Sequence, residues 1–385
     1  MQQANNADEY PRWHIFCQEM NGVGVQPAEV WRRLLSRYPY RLVGAILLLT
    51  LLSGGISTLP INIFRAFVDY AAHPIEVMMP TAHGEQPLLF FMARGIGATN
   101  AITYLALCLV LWALVYPAVF LGARKGYGSN EAVLMVLLFA AHPMAYILQT
   151  WLGMEDGITV LLTMVLLFST SSAGLGVASL LLIANHPAAL LVVPSIVMLR
   201  WLANSAQMTM KHFCFAAAGL VSGKALMMVA IHAFGIQAGS RYQCQTTVPW
   251  TDYLRMAVDY FPVRLYTAYY GLWIPVVLMV VLFFNYKRAF YGAYLIFMAV
   301  FLASTFFFHD ATRDFALLSW APTLYCLMFT WKIASETEAR GRVFRASIVL
   351  SALFGWCFPR LFVWNDHIYA PWFSQVFGLI WNRTY

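Results

Sequence analysis

Three polar segments of this chain carry the residue types that can do chemistry. Asp69 lies among aromatic and aliphatic residues, and Glu155 and Asp156 are adjacent. A third segment, residues 308–314, holds five polar side chains among seven: His309, Asp310, Thr312, Arg313 and Asp314. A carboxylate can accept the proton of a hydroxyl group, and a guanidinium can stabilise the charge of a phosphate. These residue types therefore suit proton transfer beside an anionic group.

The elements that must position these residues are membrane-spanning helices. The chain of 385 residues is 61% hydrophobic and 11% charged, with a mean hydropathy of +0.66. Soluble domains carry about 25% charged residues, because a wetted surface must cover their core. A spanning helix needs roughly 20 apolar residues, so the chain has room for about ten to twelve spans. The composition predicts an all-α polytopic membrane protein.

Charge and cysteine usage exclude other classes of protein. The formal net charge is +7, but most Lys and Arg lie at the ends of apolar runs, which is a topology signal and not a nucleic-acid surface. The six cysteines form no CxxC pair and sit mostly in apolar runs. We therefore predict no disulfide framework and no metal site, and no nucleic-acid partner.

The positive-inside rule fixes a predicted topology. Residues 174–200 read either as one long helix or as two short ones broken at Asn185-His186-Pro187. Only the break places Arg124/Lys125, Lys287/Arg288 and the basic residues of 332–345 on the same side as Arg32 and Arg33. Pro187 gives a local reason for it. We predict eleven spans, with the N-terminus in the cytoplasm and the C-terminus outside.

This topology divides the chain into three predicted regions. Residues 1–38 form a cytoplasmic segment, in which 29–38 is predicted to be an amphipathic helix on the membrane surface or, equally, an extension of the first span. Residues 39–364 form the transmembrane domain, with outer loops at 60–100 and 235–261. Residues 365–385 form an outer segment. The first outer loop is rich in aromatic residues and is predicted to contain short interfacial helices.

The outer face collects most of the carboxylates and imidazoles, so any active site is predicted there. Arg313 falls in the first turn of a predicted helix that Asp310 can cap, and an arginine is unfavourable at a helix N-terminus unless an anion compensates it. Arg313 is therefore a candidate for binding a phosphate, with an ion pair to Asp310 or Asp314 as the alternative. We also assign substrate-binding roles to other outer residues: His73, Glu85, His186, Arg241, Arg264, His309 and Asp310.

The order of parts in the first 200 residues resembles that of the GT-C membrane glycosyltransferases, which use polyprenyl-phosphate sugars. In that family a first span leads into a long outer loop that bears a carboxylate, and here Asp69 occupies that position. Gln86-Pro87-Leu88-Leu89-Phe90 resembles the family's His-Pro-Pro-Leu stretch, with Gln in place of His-Pro. The stretches 153–157, 174–180 and 185–190 resemble later family motifs, although His186 stands where a Lys is common.

The resemblance implies an inverting sugar transfer. Asp69 would be the catalytic base, and Glu155 and Asp156 would position or support the acceptor. The donor would be a polyprenyl-phosphate-linked sugar and the acceptor a glycan or lipid, in contact with membrane lipids and without a cofactor. The site would face the periplasm from a bacterial inner membrane. For Glu155 and Asp156, capping of the following helix is a sufficient alternative explanation.

Two other functions stay open at this point. An O-antigen polymerase or ligase usually has its large outer loop in the second half, and the segment from Arg241 to Arg264 keeps that option open. A transporter or flippase of lipid-linked glycans would show ionisable residues within the spans and symmetry between the halves. Lys224 is the clear charge within a span, and no half-repeat is visible.

Overall fold

The computed structural model describes residues 37–55, 61–78, 86–233, 249–307, 310–358, 360–364 and 367–369. Within these ranges the chain is helical apart from one short hairpin, as the sequence predicts. The α-helices of the first half are α1 Pro39–Gly54, α2 Ile61–Ala72, α3 Leu88–Gly95, α4 Ala101–Tyr127, α5 Ser129–Ala141, α6 Pro143–Thr150, α7 Asp156–Phe168 and α8 Ser172–Asn185. A π-helical segment, Pro74–Met78, follows α2.

The second half continues in the same way. Its α-helices are α9 Ala189–Ala203, α10 Met210–Ala233, α11 Trp250–Asp259, α12 Phe261–Tyr269, α13 Trp273–Phe283, α14 Arg288–Ser304, α15 Ala311–Ala334 and α16 Glu338–Cys357. Short 3-10 turns at Tyr270–Leu272, Phe284–Tyr286 and Thr305–Phe307 follow α12, α13 and α14. The strands β1 Phe362–Trp364 and β2 His367–Tyr369 pair antiparallel, with Val363 opposite Ile368.

The apolar helices mark a membrane protein. In the described ranges, three helices are long and apolar enough to cross a bilayer alone: Ala101–Tyr127, Met210–Ala233 and Phe261–Tyr286. The bent pair α5–α6 is a fourth if it counts as one span. Other apolar helices have 10–17 residues, or at most about 26 Å at about 1.5 Å per residue, which is less than the roughly 30 Å of a bilayer core. Among the described residues the structure therefore supports a helical membrane protein, and the predicted number of eleven spans stays a prediction.

Helices break at two prolines in the first half of the chain. Helix α8 ends at Asn185 and α9 begins at Ala189, so the predicted break at Asn185-His186-Pro187 is confirmed. At the second proline, Pro143, the chain bends by 60° between α5 and α6. The His142 ring accepts a hydrogen bond from the Met144 amide, 3.1 Å away, which caps the new helix.

Helix α15 is the centre of the helical packing. It contacts α5, α6, α7, α9, α12, α13, α14 and α16. Almost every side chain from Ala311 to Ala334 is buried, including Trp320, Leu324 and Leu327. A helix that is buried on all sides offers no face to lipid or water, so residues on its first turn are held by protein on every side.

The first outer loop contains short helices, as predicted. Helix α2 is amphipathic: Phe64, Phe67 and Ala71 are buried, whereas Arg65 and Asp69 are exposed. The predicted surface helix at 29–38 lies outside the described residues except for its last two positions. The same holds for residues 365–385, apart from β2, and for residues 234–248 of the second outer loop.

Helices α8 and α10 pack backbone against backbone. Gly219 and Gly223, spaced four apart on α10, face Gly176 and Leu180 of α8. A Cβ at Gly219 would meet the Gly176 carbonyl oxygen well inside contact distance, and one at Gly223 would stand 2.6 Å from the Leu180 carbonyl oxygen. Small residues at this spacing let membrane helices approach closely, which is the main source of their packing energy.

We predict that Gly219→Ala destabilises the protein by about 1–3 kcal/mol, because the added methyl group forces the two helices apart. Gly292→Ala in α14 is the matched control, since nothing lies within 4 Å of a Cβ there. That change is expected to stabilise α14 by up to about 1 kcal/mol. Thermal unfolding of both variants in detergent measures whether each change raises or lowers stability. Equal effects of the two changes would contradict the close packing of α8 and α10.

Candidate functional site

A buried arginine joins the beginnings of α15 and α7. Arg313 Nε donates to Asp156 Oδ2 at 2.7 Å, and Arg313 Nη2 donates to Asp156 Oδ1 at 2.9 Å. Arg313 is 5% exposed and Asp156 is 1% exposed. Two parallel bonds of this kind are short and strong, and they fix both side chains in one plane. We call Arg313, Asp156, Glu155, His186 and Asp310 the acid–arginine cluster.

The other members surround this pair. Glu155 Oε1 lies 3.5 Å from Arg313 Nη2 and 3.8 Å from His186 Nε2. Asp310 Oδ2 lies 3.9 Å from Arg313 Nη1. Glu155 is fully buried and His186 is 2% exposed. The structure thus brings together five of the residues that the sequence nominated, from three separate segments of the chain.

Local geometry explains how the turn before α7 reaches this position. Gly153 adopts a φ of 109°, which favours glycine, and the chain reverses there between α6 and α7. The Tyr104 hydroxyl donates to the Gly153 carbonyl oxygen. A Cβ at Gly153 would stand 2.9 Å from the Phe64 ring, so α2 lies directly on this turn. Glu155 and Asp156, at the start of α7, therefore follow a turn that packs against α2, the helix that carries Asp69.

The charge balance of the cluster is acidic. Burial raises the pKa of the Asp310 carboxyl well above its usual range; Asp314 and Asp156 raise it further, and Arg313 lowers it. Asp156 faces the guanidinium directly. Because Asp156 already engages Arg313 through both oxygens, a phosphate at Arg313 would have to displace or share that partner. The ion pair that the sequence left as an alternative is present, although with Asp156 and not chiefly with Asp310 or Asp314.

Asp69 and His73 lie outside this cluster. Asp69 is exposed on α2, on the side opposite the buried Phe67. His73 is exposed as well, and its Nδ1 lies 3.3 Å from Glu76 Oε2. Helix α2 packs on the turn at Gly153 through Phe64 and Phe67, and among the described residues no contact joins the Asp69 carboxylate to the cluster.

The structure describes one of the four remaining predicted site residues, Arg264. Arg264 is 5% exposed on α12, and its Nη1 donates to the Thr305 carbonyl oxygen at 3.0 Å. It lies near α15, because Thr267 Oγ1 and Thr312 Oγ1 are 3.0 Å apart. Glu85, Arg241 and His309 lie outside the described residues.

Sequence reasoning missed two residues that hold the cluster. Asn185 Nδ2 donates to the Glu155 carbonyl oxygen at 3.0 Å and to Thr159 Oγ1 at 2.8 Å, which ties the end of α8 to the start of α7. The Arg313 guanidinium lies 5.8 Å from the Trp151 ring, a cation–π distance. Asn185 stood in the break motif, and its position before His186 was the only signal.

The described ranges contain no group of three or more His, Cys, Asp or Glu side chains that could hold a metal ion. In comparisons with known proteins, no protein-family model matches the chain, and neither a curated protein nor a solved structure does. The chemistry of the cluster must therefore be argued from its own geometry.

We predict that Arg313→Met destabilises the protein by about 3–5 kcal/mol, because it leaves Asp156 buried without its guanidinium. The double variant Arg313→Met/Asp156→Leu should recover part of that loss, since Asp156 then needs no counter-charge, while Glu155 and Asp310 still lack the guanidinium. Thermal unfolding of the two single variants and the double variant measures this coupling.

The control is Arg255→Met, which breaks an exposed pair with Asp259 of 3.8 Å on α11. Exposed pairs contribute only about 0–1 kcal/mol. Additive effects at Arg313 and Asp156 would show that the ion pair does not hold the two helix beginnings together.

Proposed function

We propose that this protein is a GT-C-type membrane glycosyltransferase that moves a sugar from a polyprenyl-phosphate carrier to an acceptor at the outer face of a bacterial inner membrane. The observation that carries the proposal is the placement of Asp69. Helix α2 rests by its buried Phe64 on Gly153, two residues before Glu155, and presents the Asp69 carboxylate on its exposed face. A base in this position is exposed to substrate, and the helix that carries it packs against the turn at Gly153.

The proposed reaction needs a base, an attacking hydroxyl and a leaving phosphate. The Asp69 carboxylate accepts the proton of the acceptor hydroxyl as its oxygen bonds to the anomeric carbon of the sugar. The bond from that carbon to the phosphate oxygen breaks on the opposite side, so the configuration inverts and the lipid phosphate leaves with the electron pair. General-base help of this kind contributes about 10²–10⁴-fold to the rate.

The acid–arginine cluster has a supporting role in this proposal. Its members are buried and bonded to one another, so they brace the turn under α2 and set where Asp69 stands. Arg264, which no described carboxylate pairs with, remains a candidate for the donor phosphate, and so does Arg313 if it releases Asp156. Glu155 and Asp156 would act on the acceptor only through this support.

The full topology also belongs to the proposal. We propose eleven spans, with the N-terminus in the cytoplasm, in which the shorter helices cross in pairs or with tilted and broken geometry. The break between α8 and α9 supports this arrangement, because a chain that reversed direction there would have Lys287 and Arg288 on the same side as Arg124 and Lys125. The first outer loop, α11 and the start of α15 then share the outer side.

We predict that Asp69→Asn lowers sugar transfer by about 10²-fold or more without lowering stability, because Asp69 is exposed and the amide cannot accept the proton. The assay uses purified protein in nanodiscs with a synthetic polyprenyl-phosphate sugar. Asp259→Asn, an exposed carboxylate on amphipathic α11, is the matched control and should retain full activity. Full activity of Asp69→Asn would refute the base assignment, and substrate-dependent flux without transfer would favour a transporter.

The topology is tested by labelling single cysteines in a cysteine-free background. A membrane-impermeant maleimide added to intact cells should label Arg255→Cys on α11 and should spare Arg288→Cys at the start of α14, both of which replace exposed side chains. Permeabilised cells should show both sites labelled. Labelling of Arg288→Cys in intact cells would reverse the orientation of α13 and α14 and remove the case for an outer-face site.

A further inference from the structure

A second buried arginine lies apart from the acid–arginine cluster. Arg360 follows α16, is 2% exposed, and makes no ion pair with any described carboxylate. Its Nε donates to the Gly355 carbonyl oxygen and its Nη2 to the Ala140 carbonyl oxygen at 3.3 Å. Both carbonyl groups belong to the last turns of helices, so they carry partial negative charge. The third nitrogen, Nη1, has no hydrogen-bond partner among the described residues.

Aromatic hydroxyl groups surround the Arg360 guanidinium. It lies 5.9 Å from the Tyr146 ring, and Tyr116, Tyr266 and Tyr270 are close enough to interact with its charge. The Tyr270 hydroxyl donates to the carbonyl oxygen of Leu361, the residue after Arg360, which holds this segment against the 3-10 turn after α12. Tyrosine hydroxyls can donate hydrogen bonds to an anion as well as accept them.

Gln149 adds a second buried group with unmet hydrogen bonds. It is 1% exposed, and neither its amide nitrogen nor its amide oxygen has a partner in the described part of the chain. It lies on α6 one turn after Tyr146, and both side chains adjoin Gly54 at the end of α1. Next to Gly54, Trp356 Nε1 donates to Thr50 Oγ1 at 3.3 Å. We call Arg360, Gln149, Tyr146, Tyr116 and Thr50 the arginine–glutamine chamber.

This chamber is chemically unlike the acid–arginine cluster. It holds one guanidinium, amide and hydroxyl donors, and no described carboxylate, whereas the cluster holds three carboxyl groups around Arg313. Unpaired buried polar groups are costly, and an arginine within a membrane protein generally has a functional partner. Arg360 Nη1 and the Gln149 amide nitrogen are both donors for an oxyanion, and Tyr146 lies beside each: its ring is 5.9 Å from the guanidinium, and it adjoins Gly54 together with Gln149. Guanidinium groups match phosphate particularly well.

We propose that the arginine–glutamine chamber is a binding site for a phosphate group. The site is built from the ends of α1, α5 and α16 with α6, and it stands whether or not the protein transfers sugars. Two sources supply the same chemistry: the head of a phosphate-bearing lipid, which would enter from the bilayer, and free inorganic phosphate, which would enter from water.

Thermal unfolding of the purified protein in detergent tests the proposal, with three probes: decaprenyl phosphate, decaprenol and inorganic phosphate at constant ionic strength. A ligand that binds only the folded state raises the midpoint with concentration. We expect a rise of several degrees with decaprenyl phosphate and none with decaprenol. A rise with inorganic phosphate alone would assign the site to the free ion. No rise with either phosphate would overturn the proposal and leave Arg360 as a cap for two helices.

Two variants locate the binding. Gln149→Leu should unfold at a temperature equal to or above that of the wild type, because it removes two unmet polar atoms, yet its affinity for the phosphate should fall by about tenfold or more. Arg360→Met should abolish the phosphate-dependent rise. The matched control is Arg200→Met, another buried arginine bonded to carbonyl oxygens at a helix end, which should retain the rise. An undiminished rise in Gln149→Leu would move the phosphate elsewhere.

These outcomes are separable from those of the sugar-transfer proposal. Binding of decaprenyl phosphate requires no donor sugar and no acceptor, so it can be observed in Asp69→Asn as readily as in the wild type. A protein that binds the lipid phosphate but transfers nothing would retain this inference and lose the proposed function. If the protein transfers sugar but Gln149→Leu does not change phosphate binding, the proposed function stands and the phosphate-site proposal fails.

Discussion

The buried pair of Arg313 and Asp156 is the interaction on which the arrangement of the acid–arginine cluster depends. It joins the first turn of α15, the helix at the centre of the packing, to the first residue of α7, 157 positions earlier in the chain. A charge buried at the end of such helices costs a large desolvation energy unless it is paired in good geometry. Once the pair forms, Glu155, His186 and Asn185 have one place to lie, and the turn under α2 is fixed.

Three described buried arginines, unlike Arg313, bond to backbone carbonyl groups at helix ends. Arg200 donates to the carbonyl oxygens of Leu166 and Ser169 at the end of α7, Arg264 to that of Thr305, and Arg360 to those of Gly355 and Ala140. The last carbonyl groups of a helix lack partners within the helix and carry partial negative charge. Where short helices end inside an apolar environment without water, a guanidinium satisfies several of these carbonyl groups at once.

The sequence predicted features with a local cause and missed those with a distant one. Prolines locate the break after Asn185 and the bend at His142, because proline disrupts a helix wherever it stands. The amphipathic pattern of α2 likewise follows from period and composition alone. The partner of Arg313 did not follow, since nothing near residue 313 identifies Asp156 among several outer carboxylates. The hydropathy pattern also did not distinguish short helices from full spans, because an apolar run does not show where a helix ends.

A hydrogen bond connects the two chain segments that carry the buried arginines Arg313 and Arg360. Thr312, the neighbour of Arg313, accepts a hydrogen bond from the Val363 amide at 2.9 Å, and Val363 lies three residues after Arg360. Thr312 also pairs with Thr267 on α12, the helix that carries Arg264. The hydrogen bond from Val363 to Thr312 therefore fixes the strand that follows Arg360 against the first turn of α15, which carries Arg313.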